Sequence, residues 1–275
     1  MLYSLLFQSA WKTLKCFGAD KKRLNGELGM TAVLHTWGQN LSQHVHLHCL
    51  VPGGALSEEG WHAAKGHYLF PVRALSRYFR GAMVSAIRKA DQQNKLHRIN
   101  DPRQVDEGLN GLMKKAWVVY TKPYLKQPET IVTYLARYSH KITISDSRLQ
   151  SINDEQVTFR WKDYRDKDKH KVMSLSGEEF IRRFLLHVLP KGLMRIRHYG
   201  FLANRCRKTK LARIRDVMTQ QQAAEIAPGT GHDKEIDCFK PADGRCPKCK
   251  QGRLVVIAEM PTKRIVGGER RQPLH

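Results

Sequence analysis

Three histidines alternate with apolar residues between Gln43 and Val51. A β-strand turns every second side chain to the same face, so His44, His46 and His48 would share one face while the apolar residues between them anchor the other. Neutral imidazoles in a row can hold a divalent cation. A half-buried strand with solvated histidines would give a similar pattern, but three in strict alternation favour a metal site.

Two tyrosines, Tyr134 and Tyr138, follow Pro128, a residue that suits the first turn of a helix. Residues four positions apart share a helix face, so the two hydroxyls would lie side by side. A tyrosine oxygen can attack phosphorus when a metal polarises the phosphate. With Ile131 and Leu135 the pair also forms the stripe of an ordinary amphipathic helix, and taken alone it would indicate core packing.

The charge balance is strongly basic, with 48 Lys and Arg against 25 Asp and Glu and a net charge of +23. An enzyme for small neutral substrates does not need this excess, whereas a protein that neutralises phosphates does. The sequence contains no apolar run of about 18 residues, so neither a transmembrane helix nor a membrane partner is expected. The basic helix predicted over 201–224 offers five candidates for phosphate contact: Arg205, Arg207, Lys208, Lys210 and Arg213.

The segments that must position these residues predict an α+β fold. Residues 30–37 read as a strand that forms an antiparallel hairpin with the histidine strand through the turn at 38–40. A meander of strands is predicted between 141 and 175, and Ser176 with Glu179 is a capping box that opens a further helix. Residues 117–120 read as a buried strand by composition.

The two motifs together resemble those of the HUH nucleases. Closer still is the two-tyrosine, rolling-circle transposase family of bacterial insertion sequences, the group named for insertion sequence ninety-one. The resemblance is carried by His46-Leu47-His48-Cys49-Leu50-Val51 with Pro52-Gly53-Gly54, by Tyr134-Leu135-Ala136-Arg137-Tyr138-Ser139-His140-Lys141, and by the stretch from Ile196 to Leu202. It covers roughly residues 1 to 215.

The resemblance implies an HUH-type antiparallel sheet, ferredoxin-like or RRM-like, flanked by helices. His46 and His48 match the metal-binding pair, and Tyr134 and Tyr138 match the nucleophiles. In such enzymes Mg²⁺ or Mn²⁺ holds the scissile phosphate while a tyrosine attacks it, giving a 5′-phosphotyrosine and a free 3′-OH on single-stranded DNA. Arg137 and Lys141, within the tyrosine motif, are expected to contact DNA.

The function implied is that of a metal-dependent transposase that nicks and joins DNA. Its partners would be the single-stranded ends of its own mobile element and the target DNA, in the bacterial cytoplasm at the nucleoid. A third metal ligand is expected, and His44, Gln39 and His35 are candidates by proximity, with the choice left open. The sequence does not define the oligomeric state.

The start of the chain departs from the family pattern. Its members usually begin with a cysteine-rich zinc domain and a first core strand, whereas this chain begins within the next helix, so an N-terminally truncated transposase is expected. The alternative is a catalytically inactive DNA-binding remnant.

Residues 1–200 would form the catalytic domain and 201–275 a basic C-terminal region. There Cys246 and Cys249 form half of a structural Zn²⁺ knuckle, with Cys238 as a further ligand and His232 or Cys206 as the fourth.

Overall fold

A computed structural model describes residues 1–65, 69–96, 102–122, 130–131, 133–134, 136, 143–164 and 166–226. Five α-helices and eight strands are bounded within these residues. In chain order they are α1 (Leu2–Gly18), β1 (Gly29–Trp37), β2 (Gln43–Leu50), β3 (Gly54–Leu56), β4 (Trp61–Ala63), α2 (Val72–Gln92), α3 (Pro102–Lys114), β5 (Leu149–Ile152), β6 (Gln156–Asp163), β7 (Lys169–Ser176), α4 (Gly177–Leu185), β8 (Ile196–Gly200) and α5 (Arg207–Ile226).

The strands form three antiparallel sheets. The central sheet has the order β2-β1-β8, the strands β3 and β4 pair as a hairpin, and the third sheet has the order β5-β6-β7. The predicted hairpin between the first strand and the histidine strand is therefore confirmed, as are the mixture of helices with strands and the antiparallel pairing. The closer match to an HUH sheet stays a prediction.

Alternation along β1 gives the central sheet two different faces. Met30, Ala32 and Leu34 are fully buried and pack with Phe7 of α1. The odd-numbered positions of β1 face the opposite way, and His35 is one of them. The sheet therefore has an apolar face covered by α1 and a second face that carries histidines.

The third sheet has its own small core, which reaches the turn between β1 and β2. Leu41 in that turn is fully buried and packs with Ile144 and Phe159. The helix α4 begins directly after β7, and the Ser176 hydroxyl accepts a hydrogen bond from the Glu179 backbone N–H at 3.3 Å. The predicted cap at Ser176 is confirmed.

The prediction of a strand at residues 117–120 is wrong. Residues 116–122 form no strand, and the side chains of Val118 and Tyr120 are 93% and 79% exposed. Trp117 packs instead against the pair of helices α2 and α3, and its indole N–H donates to the Leu112 carbonyl at 3.1 Å. Trp117 and Val119 each pack against the body while the residues between and after them face solvent, so the segment is apolar without pairing as a strand.

The last helix packs onto the same body as the histidine sheet. Leu211 and Ile214 of α5 contact Leu56 and Phe201, and Met1–Ile226 form one compact unit. Gly200 lets β8 turn toward α5, because a Cβ there would lie 1.7 Å from the Leu28 carbonyl oxygen and its φ is +60°. Among the described helices, none has the length and apolarity needed to cross a bilayer.

Candidate metal centre

The hairpin of β1 and β2 brings three histidines to one face of the central sheet. His35 is directly paired with His46, and His48 is the next residue on that face of β2. The metal-ligating nitrogens of His35, His46 and His48 all lie within 4.8 Å of one another. The third imidazole therefore comes from the neighbouring strand.

The hydrogen bonding of His46 directs one of its ring nitrogens toward His48. Its Nδ1 lies 2.8 Å from the His44 carbonyl oxygen, which can only accept, so Nδ1 carries the proton. The lone pair is then on Nε2, which lies 3.1 Å from Nε2 of His48. Two nitrogens bound to one cation at about 2.1 Å are separated by roughly 3.0–3.4 Å, so this spacing fits a shared metal. A backbone carbonyl behind a ligating histidine is a common way to fix its tautomer.

His35 is the most enclosed of the three imidazoles, with 2% of its surface exposed. Its ring stacks on Trp37, with 4.7 Å between centroids and 19° between planes, and its centroid is 4.6 Å from that of His48. On the opposite face, burial raises the pKa of the Cys49 thiol to about 12. Cys49 packs with the apolar side chains of that face, away from the three histidines.

The predicted metal and nucleophile residues fall into three groups. His46 and His48 are brought together as predicted, and His35 rather than His44 completes the cluster; the His44 ring centroid is 4.8 Å from that of His46. Tyr134 is helical and half-buried. Of the predicted zinc ligands only Cys206 is described, and it is half-buried just before α5. The remaining predicted residues of the tyrosine and zinc motifs lie outside the described residues: Tyr138, Arg137, Lys141, His232, Cys238, Cys246 and Cys249.

The five predicted phosphate contacts of the basic helix differ in their surroundings. Arg205, Arg207 and Lys208 are exposed at or just before the start of α5. Lys210 instead forms an ion pair with Glu27, and the Arg213 guanidinium donates to the carbonyls of Ser57 and Glu58 at 3.2 and 3.3 Å. The last two residues therefore hold α5 onto the body, whereas the first three face solvent.

A cleft of about 600 Å³ lies beside β8 and the start of α5. Lys15 of α1, Arg205 and Lys210 line it, together with Trp11 and Tyr199, whose rings stack at 5.5 Å. Three cations against the single carboxylate of Glu27 give the cleft a positive balance. Such a cleft suits a phosphodiester backbone.

His198 lies between this cleft and the histidine face of the sheet. It pairs with Thr31 of β1, and its Nδ1 is 2.9 Å from the Thr31 hydroxyl. Burial, and secondarily the positive charge of Arg207, lower the pKa of His198 below its ordinary value. The ring is therefore neutral at neutral pH and can offer a hydrogen bond without bringing a charge.

Sequence reasoning left His35 as one of three candidate ligands and did not include Lys15 or Thr31. For His35 no simple count across the turn would have sufficed, because the pairing of β1 with β2 shifts between His35 and Trp37, and this shift places His35 opposite His46. For Lys15 and Thr31 the local sequence holds no comparable signal, because their neighbours come from β8 and α5, more than 150 residues later.

Comparison with known proteins places the chain among transposases. The profile of a family labelled Y2_Tnp and described as "Putative transposase" matches residues 29–210. "Putative transposase y4qJ" of Sinorhizobium fredii is 45% identical over 268 residues, which cover 94% of this chain and 67% of that protein. "Transposase for insertion sequence element IS801" of Pseudomonas savastanoi pv. phaseolicola is 29% identical over 220 residues, covering 74% and 52%. No solved structure matches the chain.

The chain thus spans about two thirds of one of these relatives and about half of the other. The profile match takes in more than half of this chain, including the hairpin with its three histidines, the tyrosine pair and the start of α5. The chain therefore belongs to the Y2 transposase family.

Proposed function

We propose that this chain nicks and joins single-stranded DNA through a 5′-phosphotyrosine intermediate in rolling-circle transposition. Tyr134 and Tyr138 act as nucleophiles, and His35, His46 and His48 are the metal ligands. The observation that carries the proposal is the convergence of three imidazoles on one sheet face, in a chain that belongs to a transposase family.

The ligand set favours Mn²⁺ over Mg²⁺. Among the described residues the cluster consists of three imidazoles and includes no carboxylate. Mg²⁺ prefers oxygen ligands, whereas imidazole suits the first-row transition metals. When bound here, a divalent cation would polarise the scissile phosphate and offset the charge that develops on it.

The tyrosine hydroxyl attacks phosphorus and forms the new phosphotyrosine bond as the bond from phosphorus to the 3′ oxygen breaks. The proton lost by the tyrosine is balanced by the one gained at the 3′ oxygen, which leaves as a hydroxyl. Ile144 packs with Leu41 at the turn of the histidine hairpin, and Tyr138 is only six positions before Ile144. Six residues span at most about 20 Å, so the length of chain permits the tyrosine to reach the proposed metal site.

The DNA strand is proposed to contact Arg205, Arg207 and Lys208 and to enter the cleft lined by Lys15. This strand is proposed to come from the ends of the mobile element and from the target DNA, both located at the nucleoid in the bacterial cytoplasm. Residues 1–200 form the proposed catalytic domain. The basic region 201–275 is proposed to carry a structural Zn²⁺ site with Cys238, Cys246 and Cys249.

The test is the formation of a covalent protein–DNA adduct with single-stranded DNA that carries an element end. The DNA is labelled at its 3′ end, because the protein becomes joined to the 5′ phosphate of the downstream fragment. With Mn²⁺ we expect a denaturant-resistant adduct that is lost when Tyr134→Phe and Tyr138→Phe are combined. Tyr120→Phe, at an exposed tyrosine, is the matched control and should form the adduct normally. DNA binding without any adduct would instead indicate a non-catalytic DNA-binding protein.

A further inference from the structure

The turn between β1 and β2, residues 38–42, is held by three side chains from a distant part of the chain. Arg148 donates to the Gln39 carbonyl, Arg183 donates to the Asn40 carbonyl at 3.4 Å, and His187 donates to the Leu41 carbonyl at 3.1 Å. Three successive carbonyls are therefore each satisfied by a donor more than 100 residues later. We call Arg148, Arg183 and His187 the turn clamp.

We propose that the turn clamp positions the histidine cluster, and that His187 is its principal positioning residue. The inference rests on the proposed metal centre and deepens it. It assigns to residues outside the cluster the task of fixing where His35 meets His46 and His48. None of the three clamp residues belongs to the cluster itself.

The hairpin needs such support because its register and its turn are both irregular. The pairing of β1 with β2 shifts between His35 and Trp37, immediately before the turn. Leu41 adopts a φ of +61°, a left-handed conformation that is uncommon for a bulky apolar residue. A slip of one residue would move a histidine to the opposite face of the sheet, so the cluster depends on the register being held.

The chemistry of His187 suits this task. The side chain is buried, with 6% of its surface exposed. Because the Leu41 carbonyl can only accept, Nε2 of His187 carries a proton, and in the neutral ring Nδ1 accepts from the Thr36 hydroxyl at 3.3 Å. One imidazole thus ties the end of β1 to the turn that follows it.

An aromatic contact continues from His187 toward the cluster. The Trp37 ring meets His187 edge-on, with 6.2 Å between centroids, and stacks on His35 at 4.7 Å. The orientation of the buried His35 ring is therefore set by Trp37, whose other neighbour is the clamp. Loss of a side chain that orients a metal ligand typically costs about 10–100-fold in metal affinity.

The two arginines of the clamp are themselves fixed. Arg148 also donates from Nε to the Arg160 carbonyl at 2.9 Å, and Arg183 pairs with Glu179 at 2.7 Å. Each guanidinium therefore joins the turn to an element of the third sheet or to α4. The packing of Leu41 against Phe159 adds an apolar contact at the same place.

The test compares two substitutions of His187 in the full chain. His187→Gln keeps an amide N–H for the Leu41 carbonyl and an oxygen for the Thr36 hydroxyl, whereas His187→Leu keeps side-chain volume and loses both bonds. We measure the Mn²⁺ dissociation constant by calorimetry and the amide hydrogen exchange of residues 38–42. His187→Leu should weaken Mn²⁺ binding by about 10–100-fold and speed exchange in the turn, while His187→Gln should restore most of both.

The exposed His170 on β7 provides the matched control, and His170→Leu should bind Mn²⁺ like the unsubstituted chain. Normal Mn²⁺ affinity in His187→Leu, or equal loss in the Gln and Leu variants, would overturn the positioning role alone. Failure of the unsubstituted chain to bind Mn²⁺ would overturn the metal centre as well. If His187→Leu does not fold, Arg183→Met decides the question, because it removes a donor whose side chain is only partly buried and should still weaken Mn²⁺ binding.

Discussion

His35 joins the histidine cluster through the pairing of its strand with β2 and not through a sequence motif. It stands alone among Leu34 and Thr36 in a strand that otherwise reads as apolar and β-branched, so nothing local marks it as a ligand. The alternating histidines of β2, by contrast, are visible in the sequence because period-two spacing needs no partner. The shared face of His46 and His48 could therefore be predicted, whereas the position of His35 beside them required the register of the hairpin.

Substitution of single histidines tests this assignment. His35→Asn should weaken Mn²⁺ binding to the same extent as His46→Asn, because each removes one of three imidazole ligands. His44→Asn should retain the affinity, since its carbonyl and not its ring supports His46. Calorimetric titration with Mn²⁺ measures all three, with circular dichroism to confirm folding. A greater loss in His44→Asn than in His35→Asn would contradict the assignment.

His198 should make the stability of the chain depend on pH in a defined direction. Burial and Arg207 lower its pKa in the folded state below the ordinary value of 6.5, so the unfolded chain takes up the proton more readily. Stability is therefore fully present above pH 6.5 and falls as the pH drops below that value. Between pH 7.5 and 5 the free energy of unfolding, measured with urea, should fall less for His198→Gln than for the unsubstituted chain. An equal fall in both proteins would contradict this role of His198.

Among the elements, the histidine hairpin and the cap at Ser176 follow from local patterns. The strand expected at 117–120 does not form, because its apolar residues do not share one environment: Trp117 is anchored to α2 and α3 while Val118 faces solvent. Composition alone cannot distinguish a buried strand from an extended segment with one anchored aromatic residue. The turn clamp could not be predicted either, since each of its bonds joins residues that no local pattern connects.

Leu41 links the central sheet to the third sheet, and its truncation should be costly. The side chain is fully buried against Ile144 and Phe159. Leu41→Ala should lower the free energy of unfolding by about 2–5 kcal/mol, as for other large-to-small changes in a core. Val118→Ala, at a residue that is 93% exposed, is the control and should change it by less than about 0.5 kcal/mol. Equal stability of the two variants would contradict the packing described for the turn.

At the scale of the whole molecule, the net charge of +23 predicted a polyanionic partner, which agrees with membership of a transposase family. Charge alone could not show which cations remain available to DNA. Lys210 and Arg213 lie in the same basic run as Arg207, yet they are engaged with Glu27 and with backbone carbonyls. Those partners come from the first 60 residues and are separated from α5 by most of the chain.

The salt dependence of DNA binding distinguishes these two sets of cations. Removing one cation that neutralises a phosphate of single-stranded DNA should make the plot of log affinity against log salt concentration shallower by about 0.7. Arg205→Gln, Arg207→Gln and Lys208→Gln combined should therefore reduce the slope by about 2. Arg213→Gln, the matched control, should leave the slope unchanged because its guanidinium is bound to the carbonyls of Ser57 and Glu58. A larger change of slope in the control variant than in the triple variant would contradict this division into cations that bind DNA and cations that hold α5.

A histidine-bound cation and a tyrosine are proposed to act together on DNA. The most direct test measures whether the covalent adduct depends on metal and which residue carries it. The chain is treated with EDTA, incubated with single-stranded DNA of the element end, and then supplied with Mn²⁺. Digestion and mass spectrometry locate the attached nucleotide. We predict no adduct in EDTA, and after Mn²⁺ is added an adduct confined to the peptide that contains Tyr134 and Tyr138. An adduct formed in EDTA, or attached to any other residue, would contradict the account.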